Sequence, residues 1–135
     1  MMGETNLETL LGTMRPILAK DIFAFCTIPK DKVTADILKV CTGMFIEQEG
    51  TTLILEQSIA LSKGLTFSGE FACITLTVHS SLEAVGLTAA VSSCLADIGI
   101  SANVVAAYYH DHVFVPYEKA ALAVEALNAL SQQHQ

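Results

Sequence analysis

Between Phe71 and His110 only Glu83 and Asp97 carry a full charge. A run so apolar must be buried in a core, buried in a bilayer, or covered by another chain. Length decides against the bilayer. The uncharged runs are 84–96 and 98–110, split by Asp97, and each falls short of the roughly 20 apolar residues that a spanning helix needs. The second run is rich in Val, Ala and Tyr and reads as a strand. The N-terminus has Glu4 and Glu8 and no basic residue before Arg15, unlike the basic, then continuously apolar start of a secretory signal. That leaves a core plus an apolar subunit interface, so a homodimer or higher homo-oligomer in the cytoplasm is expected. With 135 residues, 52 % of them apolar, the chain has the size of one compact domain or two very small ones.

Charge and cysteine usage narrow the function. Lys plus Arg total 7 against 14 Asp plus Glu, a net charge of -7. This argues against nucleic acid and against an anionic membrane surface, since both need clustered cations. Cys26, Cys41, Cys73 and Cys94 form no CxxC pair, so neither zinc nor dithiol chemistry is indicated and buried reduced thiols are expected. His110 and His112 have a chelating H-x-H spacing, but no third ligand is evident, and solvated turn histidines are the simpler reading. There is no P-loop, no GxGxxG and no nucleophile elbow. No cofactor, no metal and no catalytic residues are expected, and the chain does not read as an enzyme.

The periodicities give an element order. Leu7, Leu10, Leu11 and Met14 recur at helical spacing, with Thr5 or Asn6 as a cap and Arg15-Pro16 as a stop. Ile22–Ile28 reads as a strand, 30–39 is ambiguous, and 40–47 with 52–56 reads as a hairpin turned near Gly50. Ser58–Lys63 is a short helix stopped by Gly64. Phe71–Val78 is a strand, with Ala72, Ile74, Leu76 and Val78 on one face and Phe71, Cys73, Thr75 and Thr77 on the other. Ser80 and Glu83 fit a capping box. A helix is expected from about Val85 to Ile98, a strand over 103–109, a tight turn at His110-Asp111, a returning strand to Val115, and a helix over 118–130. Alternation puts one of Tyr108 and Tyr109 in the core. The order β-α-β-β-α over 71–130 has a degenerate counterpart over 22–63, so two copies of an α+β unit are expected.

At this point the residues resemble a known family. VGLTAAVSSCLADIGIS over 85–101, followed by YYHDHVFVP over 108–116, is similar to the ACT domain, a small ferredoxin-like regulatory module. AlaPheCysThr at 24–27 and GluGlyThrThrLeuIleLeu at 49–55 extend the likeness to a bacterial family of short proteins with two ACT-like halves. The first half departs from the usual pattern, because 30–39 is a poor first helix. The resemblance implies an α+β, ferredoxin-like fold of βαββαβ type. It implies two halves with antiparallel sheets and helices on one face: a degenerate N-terminal half over 1–65 and an ACT domain over 66–135.

It also implies a function. ACT domains of this kind bind amino acids at the loop after the first strand, often across a subunit interface. That carry-over lands on Ser81, Leu82, Val85, Gly86, Leu87 and Thr88, with Asp111 in the β-β turn meeting the ligand ammonium group. Physically, a glycine beside a helix start permits close approach, and the free N–H groups favour a carboxylate. A plain strand-to-helix turn with a packing glycine, and a turn Asp accepting backbone hydrogen bonds, account for the same residues. The expectation is a non-enzymatic sensor for a small-molecule ligand, an amino acid. The alternatives are an interaction module with a vestigial site or an unrecognised small enzyme, the latter needing an acid–base pair such as Asp111 with His110 or His112. Gly86→Val is expected to block the ligand while leaving assembly intact, because a helix tolerates Val at modest cost.

Overall fold

The computed structural model describes residues 3, 5–79, 81–82 and 84–135. The Ser80–Glu83 capping box lies outside them. In chain order the elements are α1 (Leu7–Thr13), β1 (Pro16–Leu18), β2 (Phe23–Ile28), α2 (Ala35–Val40), β3 (Gly43–Ile46), β4 (Thr51–Glu56), α3 (Gln57–Ser62), β5 (Thr66–Leu76), α4 (Leu87–Ala96), β6 (Asn103–Ala106), β7 (Asp111–Pro116) and α5 (Ala120–Gln132), with single 3-10 turns at Lys30–Lys32 and Tyr117–Lys119. They form two compact units: Asp21–Phe71, and the segment ending at Lys20 together with Ala72–Gln135.

In the unit Asp21–Phe71, β2 lies between β4 and the first part of β5, β3 flanks β4, and every pairing is antiparallel. Alternation along β2 sends Ala24, Cys26 and Ile28 to one face, where Ile37 of α2 and Ala60 of α3 close a small core. The segment 30–39, ambiguous by pattern, resolves into a 3-10 turn and a helix. Thr34 starts that helix, its hydroxyl accepting from the Ile37 N–H at 3.3 Å. Val40, expected to begin a strand, ends α2 instead. β5 begins earlier than expected, at Thr66. Gly69, with φ +76°, lets it bulge where the pairing with β2 shifts register between Phe23 and Phe25.

The other unit has β5 between β1 and β7, with β6 at the edge. Ala72, Ile74 and Leu76 of β5 alternate into the core and meet Val113 and Val115 of β7. Leu10 of α1, Val91 and Leu95 of α4 and Leu127 of α5 complete that core, each with no exposed surface. Burying one such side chain contributes about 1.5–3 kcal/mol. Asn6 caps α1, accepting from the Thr9 N–H at 2.9 Å. Ser131 of α5 donates to the Met14 carbonyl at 3.2 Å and ties the end of α1 to the last helix. The strand β1 was not foreseen: Pro16–Leu18 pairs with Leu76–Ile74, so the N-terminal segment completes the sheet of the C-terminal half.

Both units therefore repeat an antiparallel sheet with helices on one face. The expected α+β, ferredoxin-like fold of two similar halves is the fold the protein has.

Candidate functional site

The segment after β5 and the turn end of the β6–β7 hairpin enclose a cavity of about 100 Å³, lined by Ser81, Leu82, Ala84, Gly86, Leu87, Thr88, Ala106 and Asp111. Six of the seven residues singled out from sequence meet there. The seventh, Val85, does not line it and is 83 % exposed. Ala84 and Ala106 were missed. Ala106 follows from hairpin register, because it pairs directly with Asp111.

Two local geometries differ from expectation. The helix begins at Leu87, not Val85, and Gly86 is its N-cap with φ +101°. A Cβ there would also stand 3.0 Å from Leu7 Cδ2. The glycine is thus favoured by its own backbone, and a side chain there would also press on the end of Leu7. The expectation that Val is tolerated at this position is wrong, because a β-branched residue avoids this region.

Asp111, expected in the turn, is the first residue of β7 and only 8 % exposed. The turn sits two residues earlier, at Tyr108-Tyr109, closed by the Ala107 N–H donating to the His110 carbonyl at 3.1 Å. Both Tyr108 and Tyr109 lie outside, more than 60 % exposed, and pack edge to face at 4.9 Å. Neither enters the core.

Alternation along β7 places Asp111 on the face of Val113 and Val115, toward the helices. Burial there pushes its carboxyl above the usual carboxylate range, while His112 and His110 pull it back. The histidines are not solvated turn residues. His112 Nδ1 lies 2.9 Å from the Thr75 hydroxyl, and His110 Nδ1 lies 3.3 Å from the Val78 carbonyl. Burial holds His112 below its ordinary value of 6.5. The charge of His110 adds to that shift and Asp111 opposes it. A depressed histidine stabilises the fold above the unfolded value and loses that contribution as pH falls through its folded value. Stability is therefore expected to drop below about pH 6.5, and His112→Gln to lose less of it. Urea unfolding at neutral pH and near pH 5 measures this, and equal acid sensitivity in both proteins would remove His112 as the cause.

Among the described residues, no three His, Cys, Asp or Glu side chains converge as metal ligands. Cys26 and Cys73 are buried and Cys41 and Cys94 partly so, all unpaired. Burial pushes the Cys73 thiol up to about 11, which leaves it protonated and a poor nucleophile.

A family model for the ACT domain matches residues 2–73, and a second ACT-domain model matches residues 68–129. The chain belongs to the ACT-domain family. This ACT protein is 50 % identical to a Vibrio cholerae protein of unknown function described as a possible transport protein. That match covers 93 % of this chain and 96 % of the other, at a TM-score of 0.82. The regulatory subunit of aspartate kinase from Thermus thermophilus shares the fold at 11 % identity and a TM-score of 0.67, over 89 % of this chain and 97 % of that one. Aspartate kinase from Clostridium acetobutylicum does so at 13 % identity and a TM-score of 0.66, over 94 % of this chain and 36 % of that one. No curated protein matches the sequence. ACT domains are regulatory, ligand-binding modules, and that is the class of this protein. Among the described residues no helix is long and apolar enough to cross a membrane.

Proposed function

We propose that this ACT protein is a non-enzymatic sensor that binds a small amino acid in the cavity between the start of α4 and Asp111, and passes the signal on by association. The reading takes 1–65 as an N-terminal ACT-like half and 66–135 as the ACT domain that holds the ligand. The observation that carries it is the buried Asp111 carboxylate sharing one small cavity with Gly86, Leu87 and Thr88 at the first turn of a ten-residue helix. The helix start supplies unpaired N–H groups and the positive end of the dipole for a ligand carboxylate. Asp111 supplies the opposite charge for the α-ammonium group. A cavity of about 100 Å³ holds roughly three water volumes, which suits glycine or alanine better than a large side chain.

The apolar side chains of Leu82 and Val85 stand exposed beside the cavity, and a second copy in a cytoplasmic homodimer or larger assembly would cover them. The aspartate kinase neighbours carry this fold as a regulatory part of an enzyme, which supports a regulated enzyme as the downstream partner. The chain's own role in that scheme is binding, without chemistry.

Calorimetric titration with glycine, alanine and serine tests the site. Wild type is expected to bind at least one of them, and Asp111→Asn to bind at least about tenfold more weakly, since a charge-assisted hydrogen bond is lost. Binding an ammonium group needs the ionised Asp111 carboxylate, whose pKa burial raises, so affinity should weaken as pH falls into the acid range. Equal affinity in the variant would move the site elsewhere. No binding by any amino acid would replace the sensor with an interaction module whose site is vestigial.

A further inference from the structure

A second cavity, about 450 Å³, lies in the unit Asp21–Phe71, and its lining includes Phe25, Thr27, Glu47, Thr52, Thr66 and Ser68. Its volume falls in the range of small-molecule sites, about 300–1,000 Å³. The register explains its chemistry. Ala24, Cys26 and Ile28 point to the helices, so Phe25 and Thr27 point to the opposite face of the sheet. Thr52 pairs with Thr27, and Thr27 with Thr66, which sets three hydroxyls in a row across β4, β2 and β5. Phe25 pairs with Ser68 in the next row and packs edge to face on Phe71 at 5.0 Å. The Thr52 hydroxyl donates to Glu47 Oε1, fixing the carboxylate at the rim.

We propose that this cleft binds a small organic ammonium ion that carries no carboxylate. Glu47 is the one charged side chain among its lining residues, and no Lys, Arg or His faces it there. An anion, or the carboxylate of an amino acid, would meet repulsion and no cation. Thr52 spends its proton on Glu47, so its lone pairs are left to accept from an ammonium N–H. Thr27, Thr66 and Ser68 add further acceptors, and the Phe25 ring offers contact to an alkyl chain or to the cation itself. The rim is exposed, so the attraction is screened and binding is weak and salt-dependent. This site is independent of the cavity at Asp111, and the two differ in the ligand they select: one takes an ammonium with a carboxylate, the other an ammonium without one.

n-Butylamine titrated into the full chain, followed by amide NMR and calorimetry, tests this, with n-butanol as the uncharged analogue. Shifts are expected at Phe25, Thr27, Thr52, Thr66 and Ser68, and affinity should fall as salt rises. Glu47→Gln, at an exposed position that leaves the fold intact, should bind about two- to fivefold more weakly. Thr52→Val, which frees the carboxylate without removing it, should lie between the two. Butylamine shifts confined to the Asp111 region, equal binding of butanol, or unchanged affinity in Glu47→Gln would each overturn the proposal. So would an amine-silent cleft in a protein whose sedimentation changes in Phe45→Ser. Phe45 pairs with Thr52 beside the cleft and is 72 % exposed, and that result would make the cleft a contact between copies.

Discussion

Gly86→Val is expected to destabilise the protein by roughly 2–3 kcal/mol, with ligand binding lost as a consequence of the fold rather than by a blocked pocket. The backbone at Gly86 has φ +101°, a region that costs a side chain with a branched Cβ most. The new Cβ would meet Leu7 Cδ2 at 3.0 Å, so the Leu7 side chain must give way on top of the backbone strain. The two causes separate experimentally. Gly86→Ala keeps the backbone strain and adds the least bulk, so it should cost roughly 1–2 kcal/mol. Combining Gly86→Val with Leu7→Ala relieves the contact and should recover part of the loss. Urea denaturation of the three proteins gives the values. Wild-type stability in Gly86→Val would show that this backbone conformation is not required.

Leu10→Ala is expected to cost about 3 kcal/mol, within the range for deleting a fully buried leucine side chain. Total stabilities of single domains are about 5–15 kcal/mol, so this is a large fraction from one residue near the N-terminus. Leu10 has no exposed surface and packs with Leu11 and Met14 against the α4 and α5 residues of the core. The site collapses poorly around such a loss, because Ser131 and the β1–β5 pairing hold the segment at its end. Thermal or urea unfolding measures it. A change within about 0.5 kcal/mol would be a surface effect and would take α1 out of the core.

How far the sequence could be read depended on whether a feature was local. The two faces of β5 beyond Phe71 were legible because Ala72, Ile74 and Leu76 alternate with polar or smaller partners over one uninterrupted strand. Its first part was not legible. Thr66–Glu70 contains Gly69 and a charge, which locally favour a turn, and only pairing with β2 makes it a strand. The three residues of β1 carry no periodicity, and their partner is Leu76–Ile74, far along the chain. The turn between β6 and β7 was placed at His110-Asp111 because those residues favour turns. The observed register instead pairs Asp111 with Ala106 and buries it. The pattern puts the start of α4 near Val85, two residues early, because a positive φ at Gly86 leaves no trace in hydropathy. The set of residues around the cavity was legible through the family resemblance, since spacing alone fits a plain turn equally well.

The unit Asp21–Phe71 is contiguous in sequence, whereas the other unit is made from two segments that flank it. During synthesis the two halves therefore mature in a set order. Once Phe71 has left the ribosome, every strand and helix of the contiguous unit is available to close. At that moment α1 and β1 have been made but have no partners, because Ile74–Leu76, α4 and α5 come later. At about 5–20 residues per second, the apolar face of Leu10, Leu11 and Met14 waits for several seconds before the chain that covers it emerges. The nascent protein thus leaves the apolar face of α1 uncovered for longest, and early trapping of that helix by chaperones would follow from its connectivity rather than from its stability.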